Sequence, residues 1–262
     1  KSFKKEKKPF FLATGLVRPH YPSVAPEQYF KPYPFTNMVL PYVPEDDWKD
    51  MPKAGISHSN SLKFGINQFP DNQKKMWSAY LATVTFMDEQ VGRILTALRE
   101  LGLDRETAVF FTSDHGYLLG EHDFWQKSNL REEVTRVPLI IKSPIQQPGR
   151  SRSIVELVDL FPTACELTGL KIPATVQGKS LVPVLHDPKK KIKKSALSFV
   201  KGGTSMRTDK WSYMNYRDGS EELYDMKKDP GQYKNLTGIQ SFSNDLKSSR
   251  KLFSQEIKSI NH

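Results

Sequence analysis

The spacing of apolar and polar residues changes character several times along the chain. Residues 9–16 (PFFLATGL) form a short apolar run, which predicts a buried strand. Residues 17–70 then carry nine prolines. That density excludes a regular helix or a central strand and predicts a long surface excursion, a kind of segment that often carries function. A helical period follows, with Trp77, Tyr80, Leu81, Val84, Met87, Val91, Ile94, Leu95 and Leu98 recurring at three- and four-residue intervals. Asp71 is its expected cap and Gly102 its expected end. Asp88 falls on this stripe and is expected to bond backbone or an arginine in the core. Residues 107–112 (TAVFFT) are apolar on both faces, as a parallel-sheet strand is. A helical stretch near 129–135, a third apolar strand at 137–141 (VPLII) and a helix over 155–168 with Gly169 as its C-cap complete the series. The alternation predicts an α/β fold with a mostly parallel sheet flanked by helices.

Beyond residue 194 the texture changes. Residues 196–200, 204–208, 210–216 and 222–224 are short, aromatic and separated by turn signals such as Arg217-Asp218-Gly219. They predict a small antiparallel β subdomain. Phe242, Leu246, Phe253, Ile257 and Ile260 share one face of a closing helix. The expected division is a larger α/β unit over 1–188 and a small α+β subdomain over 189–262.

With 37% hydrophobic and 26% charged residues, the composition is that of a folded chain. No apolar run approaches the roughly 20 residues of a membrane span. The net charge of +10 suggests a nucleic-acid partner until it is located. Residues 1–8 hold five Lys and one Glu, and residues 189–194 (KKKIKK) hold five Lys, so the rest is nearly neutral. Two lysine patches lack the spread of Lys and Arg with interleaved aromatics that nucleic-acid surfaces use, and none is expected as a partner. They read as solvated loop and terminus. The single cysteine, Cys165, excludes an intrachain disulfide and reads as a buried structural thiol.

Ligands of open α/β sheets bind beyond the carboxyl ends of the strands. After the first predicted strand comes Arg18-Pro19-His20-Tyr21-Pro22. After the second come Ser113-Asp114-His115-Gly116 and then 120–127 (GEHDFWQK). Asp114 is either a ligand for a hard cation or a turn residue. His115 is a ligand, an anion donor or a loop histidine. His20, between two prolines, suits a general acid or anion donor as well as a neutral role. Lys127 either meets a tetrahedral anion or faces solvent. His122 reads as ordering its loop, and His58, His186 and His262 read as structural or neutral.

The segments PFFLATGLVRPHYP, SAYLATVTFMDEQVGRILTALRELGL, TAVFFTSDHGYLLGEHDFWQKSNLREEVTRVPLII, VELVDLFPTACELTGL, SMRTDKWSYMNY and ELYDMKKDPGQYKNL together resemble the sulfatase family, in its iduronate-2-sulfatase-like branch. The resemblance implies an alkaline-phosphatase-like α/β fold with a smaller C-terminal antiparallel subdomain. It implies hydrolysis of sulfate esters of a carbohydrate such as a glycosaminoglycan, outside the cytoplasm, by a calcium-dependent formylglycine enzyme. Carried over, Asp114 and His115 match calcium-site residues, His20 a sulfate-site histidine, Lys127 the lysine on sulfate and leaving-group oxygen, and Tyr117 a substrate-pocket residue. The formylglycine motif C/S-x-P/A-x-R is absent, and Cys165 does not fit it. The expectation is therefore a C-terminal portion of a sulfatase, inactive alone, with the missing N-terminal portion as a partner. Two alternatives are a phosphonate or phosphate monoester hydrolase of the same superfamily and a non-catalytic module that binds sulfated glycans.

Overall fold

A computed structural model of the chain describes residues 8–57, 60–69, 71–145 and 148–260. His58, His262 and most of the first lysine patch lie outside them. The helices are α1 (Ser61–Phe64), α2 (Asn72–Glu100), α3 (Glu132–Thr135), α4 (Leu160–Leu167), α5 (Val182–His186) and α6 (Ser243–Ile260). The strands are β1 (Val109–Thr112), β2 (Leu118–Leu119), β3 (Trp125–Gln126), β4 (Leu139–Lys142), β5 (Ser195–Val200), β6 (Gly203–Thr208), β7 (Trp211–Tyr216) and β8 (Glu221–Asp225). Among the described residues no helix is long and apolar enough to cross a membrane.

Helix α2 carries much of the first half. It ends as expected, with Gly102 at φ 65° and the Leu103 amide bonded back to the Leu98 carbonyl. Its start differs from expectation. Asp71 sits at φ 60° and its side chain makes no capping bond, because a side-chain cap needs an extended backbone there. The proline-rich excursion packs on α2 through short 3-10 turns at Glu27–Tyr29 and Phe35–Asn37. The Tyr29 hydroxyl donates to Glu89 (2.6 Å), and the Ser78 hydroxyl donates to the Tyr33 carbonyl (2.5 Å). These contacts lie between Ser78 and Glu89. Beyond them the apolar stripe is open, with Ile94 38% and Leu95 45% exposed. Asp88 is exposed rather than in the core, since the turns cover a neighbouring face of the helix.

Two strand expectations are corrected. Residues 9–16 form no strand, and Phe11 and Leu12 are 89% and 70% exposed. A strand needs a neighbour for its backbone groups, and none of the described strands lies beside this run. The apolar strands β1 and β4 do pair, but antiparallel, with Val109 opposite Lys142 and Thr112 opposite Leu139. Parallel neighbours need a crossover of a dozen or more residues, usually a helix. Here the connection holds only a short hairpin and the four-residue α3, so it returns as a loop. Every pairing among the described residues is antiparallel.

The C-terminal half follows its sequence pattern closely. β5–β8 form a four-stranded meander, and α6 covers one face through Leu246, Leu252 and Phe253 against Met206, Tyr213 and Leu223. Full burial of a side chain such as Leu223 is worth roughly 1.5–3 kcal/mol. The other face packs Met214, Tyr216 and Tyr224 against Leu130, just past the candidate site loop. Helix α4 is anchored by Asp159. Its fully buried carboxylate accepts the amides of Glu156 and Lys179 and lies 2.6 Å from the Lys193 ammonium. The second lysine patch is thus not wholly solvated, because the buried Asp159 and half-buried Glu156 carboxylates draw Lys193 inward. Cys165 is free and buried, as expected.

Candidate functional site

Asp114 and His115 sit just past the carboxyl end of β1, where the backbone leaves the sheet. Gly116 fixes the path. Its amide donates to the Val134 carbonyl at 2.7 Å, and a Cβ there would lie 1.9 Å from the Glu133 carbonyl oxygen, so only glycine permits the approach. His115 donates through Nδ1 to the Gly116 carbonyl at 2.7 Å. A carbonyl only accepts, so the proton sits on Nδ1 and Nε2 is left for another partner. Nε2 lies 3.6 Å from Asp114 Oδ2, while Asp114 Oδ1 accepts the His115 amide at 3.0 Å. Partial burial pushes the Asp114 carboxyl up. The adjacent His115 ring, the backbone hydrogen bonds and, last, the Lys127 charge outweigh it and hold the carboxyl below its usual range.

The Lys127 charge acts on Asp114 from a second element. The hairpin β2–β3 pairs Leu118 with Gln126 and Leu119 with Trp125, and its turn runs through Gly120, His122 and Asp123, all at positive φ. Leu118, Phe124 and Trp125 bury the hairpin, and Lys127 leaves it exposed to solvent. His122 is the pivot. Its ring is fully buried and donates through Nδ1 to Asp47 Oδ2 at 2.8 Å, and its carbonyl accepts the Trp48 indole N–H at 2.8 Å. The Tyr233 ring packs 5.0 Å from it. The expectation that His122 orders its loop therefore has a physical account: it ties the hairpin to the excursion and to the C-terminal half.

His20 lies in a tight turn of the excursion, between two cis X-Pro bonds at Arg18-Pro19 and Tyr21-Pro22. Arg18 donates to the His20 and Val24 carbonyls, and the exposed His20 donates through Nδ1 to the Tyr21 carbonyl at 2.5 Å. The neighbouring Tyr21 meets Tyr117 and Tyr80 across one cleft. The structure thus sets Asp114 beside His115, with the Lys127 charge acting on Asp114 without an ion pair between them, and places Tyr117 and Tyr21 of the His20 turn on one cleft that His20 itself does not line. His186, at the end of α5, takes no part.

Sequence reasoning missed the residues that hold this arrangement. Arg131, four residues past Lys127, is fully buried. Its guanidinium donates to Glu222 Oε2 at 2.7 Å and stacks 4.9 Å over the Tyr224 ring. Tyr216 and Tyr224 both donate to the same carboxylate. Asp47 and Trp48 were hidden in the proline-rich segment. The one available signal was a Trp among acidic residues in an otherwise loop-like stretch.

A calcium ion takes six to eight oxygen ligands. Among the described residues no group of three or more His, Cys, Asp or Glu is placed to hold a metal ion. Among the described residues Asp114 and His115 bring together one carboxylate and one imidazole, fewer donors than a calcium ion takes.

Solved structures place the fold. A structure described as a complex with the substrate D-glucosamine-2-N,6-O-disulfate matches 77% of this chain and 45% of its own at TM-score 0.70 and 29% identity. A phosphonate monoester hydrolase from Silicibacter pomeroyi matches 94% of this chain and 55% of its own at TM-score 0.80 and 24% identity, a likeness of fold alone. The chain therefore carries part of an alkaline-phosphatase-like hydrolase fold. Within that class it belongs to the sulfatase family: the Sulfatase model matches residues 2–170, and the model described as N-sulphoglucosamine sulphohydrolase, C-terminal, matches residues 120–258. A sulfatase of Formosa agariphila is 35% identical over 239 residues, covering 88% of this chain and 47% of that protein. Human iduronate 2-sulfatase is 36% identical over 202 residues, covering 63% of this chain and 37% of its own length. The chain spans about half the length of the curated relatives it matches.

Proposed function

We propose that the full-length protein to which this chain belongs hydrolyses sulfate esters of a carbohydrate, outside the cytoplasm, in the manner of the iduronate-2-sulfatase-like branch. The observation that supports this reading is the pairing of Asp114 with His115 just past the end of β1, with the Lys127 charge acting on Asp114, in a chain of the sulfatase family. Lys127 holds a fixed positive charge for an oxygen of the sulfate group and steadies the leaving oxygen as charge builds on it. His20, with its Nδ1 committed to a carbonyl, offers Nε2 as a second donor or proton source from the excursion. Asp114 contributes one oxygen to a calcium site whose other donors come from residues outside this chain. The nucleophile is likewise supplied from outside it, because no motif for a formylglycine occurs here.

The test is an assay of the full-length protein on matched esters. Sulfate release from a sulfated sugar is expected to exceed hydrolysis of the corresponding phosphate monoester and of a phosphonate monoester. Preference for either phosphorus ester would favour the phosphonate hydrolase reading, which the fold alone also allows. Binding of a sulfated glycan without any turnover would favour a non-catalytic module. The calcium assignment has its own readout: Asp114→Ala is expected to lower the calcium retained after dialysis, measured by metal analysis, and unchanged retention removes Asp114 from the ligand set.

A further inference from the structure

Folding gathers positive charge from three separate segments onto the loop between α5 and β5, which carries the lysines of residues 189–194. The loop is pinned at several points. Asp187 opens it with a turn, accepting the Lys189 amide on its carboxylate and the Lys190 amide on its carbonyl, both at 3.0 Å. The Ser151 hydroxyl donates to the Pro188 carbonyl at 2.8 Å, and this bond lays Arg150 and Arg152 beside the start of the loop. The Lys179 ammonium donates to the Ile192 carbonyl at 3.4 Å and stands beside its end. Lys193 turns inward to Asp159 and Glu156 and fastens the loop from beneath. Arg150, Arg152, Lys179, Lys189, Lys190 and Lys194 are left exposed on the segments these bonds draw together. The carboxylates within reach of the loop are engaged already, Asp209 by Lys191 and Glu156 and Asp159 by Lys193. Among the described residues none of the six exposed cations has an ion-pair partner.

Gathering like charges raises the energy of the folded chain, and a polyanion laid across them relieves that repulsion. The class of polyanion follows from what the face lacks. No Phe, Tyr or Trp stands in residues 149–155, 178–180 or 186–195, so no flat ring is offered for stacking nucleic-acid bases. Ile192 is the one apolar residue between Pro188 and Ser195, and it is half-buried, so the loop has no apolar side chain to insert into a lipid surface. What the face does offer is positive charge at several points on a fixed backbone, which suits a chain that bears anionic groups at each repeat. We propose that this face binds a sulfated polysaccharide across several of its repeats, through the six exposed cations. The choice of a sulfated polymer rests on the proposed sulfated-carbohydrate substrate. To that reading it adds a hold on the polymer as a chain, in addition to the single sugar that reacts. Because folding fixes the loop, binding bears little further ordering cost.

The test is equilibrium binding to the full-length protein of four probes: heparin, chemically desulfated heparin, a DNA oligonucleotide and phosphatidylserine vesicles. Heparin is expected to bind most tightly, with an affinity that falls as salt rises. The combined variant Lys189→Ala, Lys190→Ala, Lys194→Ala is expected to lower heparin affinity about tenfold. These three side chains are exposed, and the anchors at Asp187, Ser151 and Lys193 stay in place, so the fold is kept. A second triple variant, Lys49→Ala, Lys53→Ala, Lys63→Ala, removes the same charge from exposed positions of the excursion and is expected to leave heparin affinity unchanged. Equal losses in the two variants, or none in the first, would overturn the proposal. So would desulfated heparin binding as tightly as heparin, or tighter binding of the DNA or the vesicles. Sulfate release from a small sulfated monosaccharide is expected to be the same in the first variant as in the parent, since the loop residues lie outside the proposed site. A parent protein that binds heparin through this face and releases sulfate from no ester would sink the proposed reaction and leave the face standing.

Discussion

Lys127→Ala in the full-length protein is expected to lower kcat for sulfate-ester hydrolysis by about 10²–10³-fold, the scale of losing one fixed donor to a developing anion. Lys127 stands exposed with its charge acting on Asp114, and the hairpin behind it is buried through Leu118, Phe124 and Trp125. Removing the side chain therefore leaves the backbone supported, and the loss falls on the chemistry. Steady-state kinetics separate the two effects: a loss in kcat with an unchanged unfolding midpoint assigns Lys127 to the reaction. Lys127→Arg is expected to recover only part of the activity, since a guanidinium is broader and its charge spreads over a planar fork. Activity within threefold of the parent for the alanine variant would remove Lys127 from the site.

The largest structural effect is expected at Arg131. Arg131→Met leaves the Glu222 carboxylate buried and without its counter-charge between Tyr216 and Tyr224, a loss of about 3–5 kcal/mol. Burial alone would push the Arg131 guanidinium down, but Glu222 and the two tyrosines keep it firmly protonated. The double variant Arg131→Met, Glu222→Leu removes both charges and is expected to regain much of that stability. Urea unfolding of the parent, both single variants and the double variant measures the coupling between the two residues. Additive losses would show that the pair is not a unit.

How well each element could be read from the sequence tracks how local its causes are. The four strands of the C-terminal meander stand within one or two residues of their expected bounds, because alternation and turn residues are short-range signals and consecutive strands pair. Helix α2 and its glycine stop were legible for the same reason. The run at 9–16 was not, because apolar composition predicts a strand only where a neighbour accepts its backbone. The direction of the β1–β4 pairing was also illegible: strands apolar on both faces suit parallel sheets, but a connection without a crossover helix returns as a loop and pairs them antiparallel. For the proposed site, the place of Asp114, His115 and Lys127 after a predicted strand singled them out, and Asp114 and His115 do follow β1 directly. Their supports were not found, since Asp47, Trp48, Arg131 and Glu222 act across separations of 74 to 91 residues that no local pattern reveals.

The hairpin that ends in Lys127 is fastened on both sides, by Asp47 and Trp48 through His122 and by Glu222 through Arg131. Fixing a residue's backbone costs about 1–2 kcal/mol of conformational entropy. For this loop that cost is met during folding, by burial in the excursion and the C-terminal sheet, and is not drawn from the binding energy of each arriving ligand. The C-terminal sheet thus helps to hold the loop that carries Lys127, through Glu222 and Arg131. A lesion there that loosens Arg131 would show itself first as a slower, more weakly binding site, at temperatures where the rest of the chain is still folded.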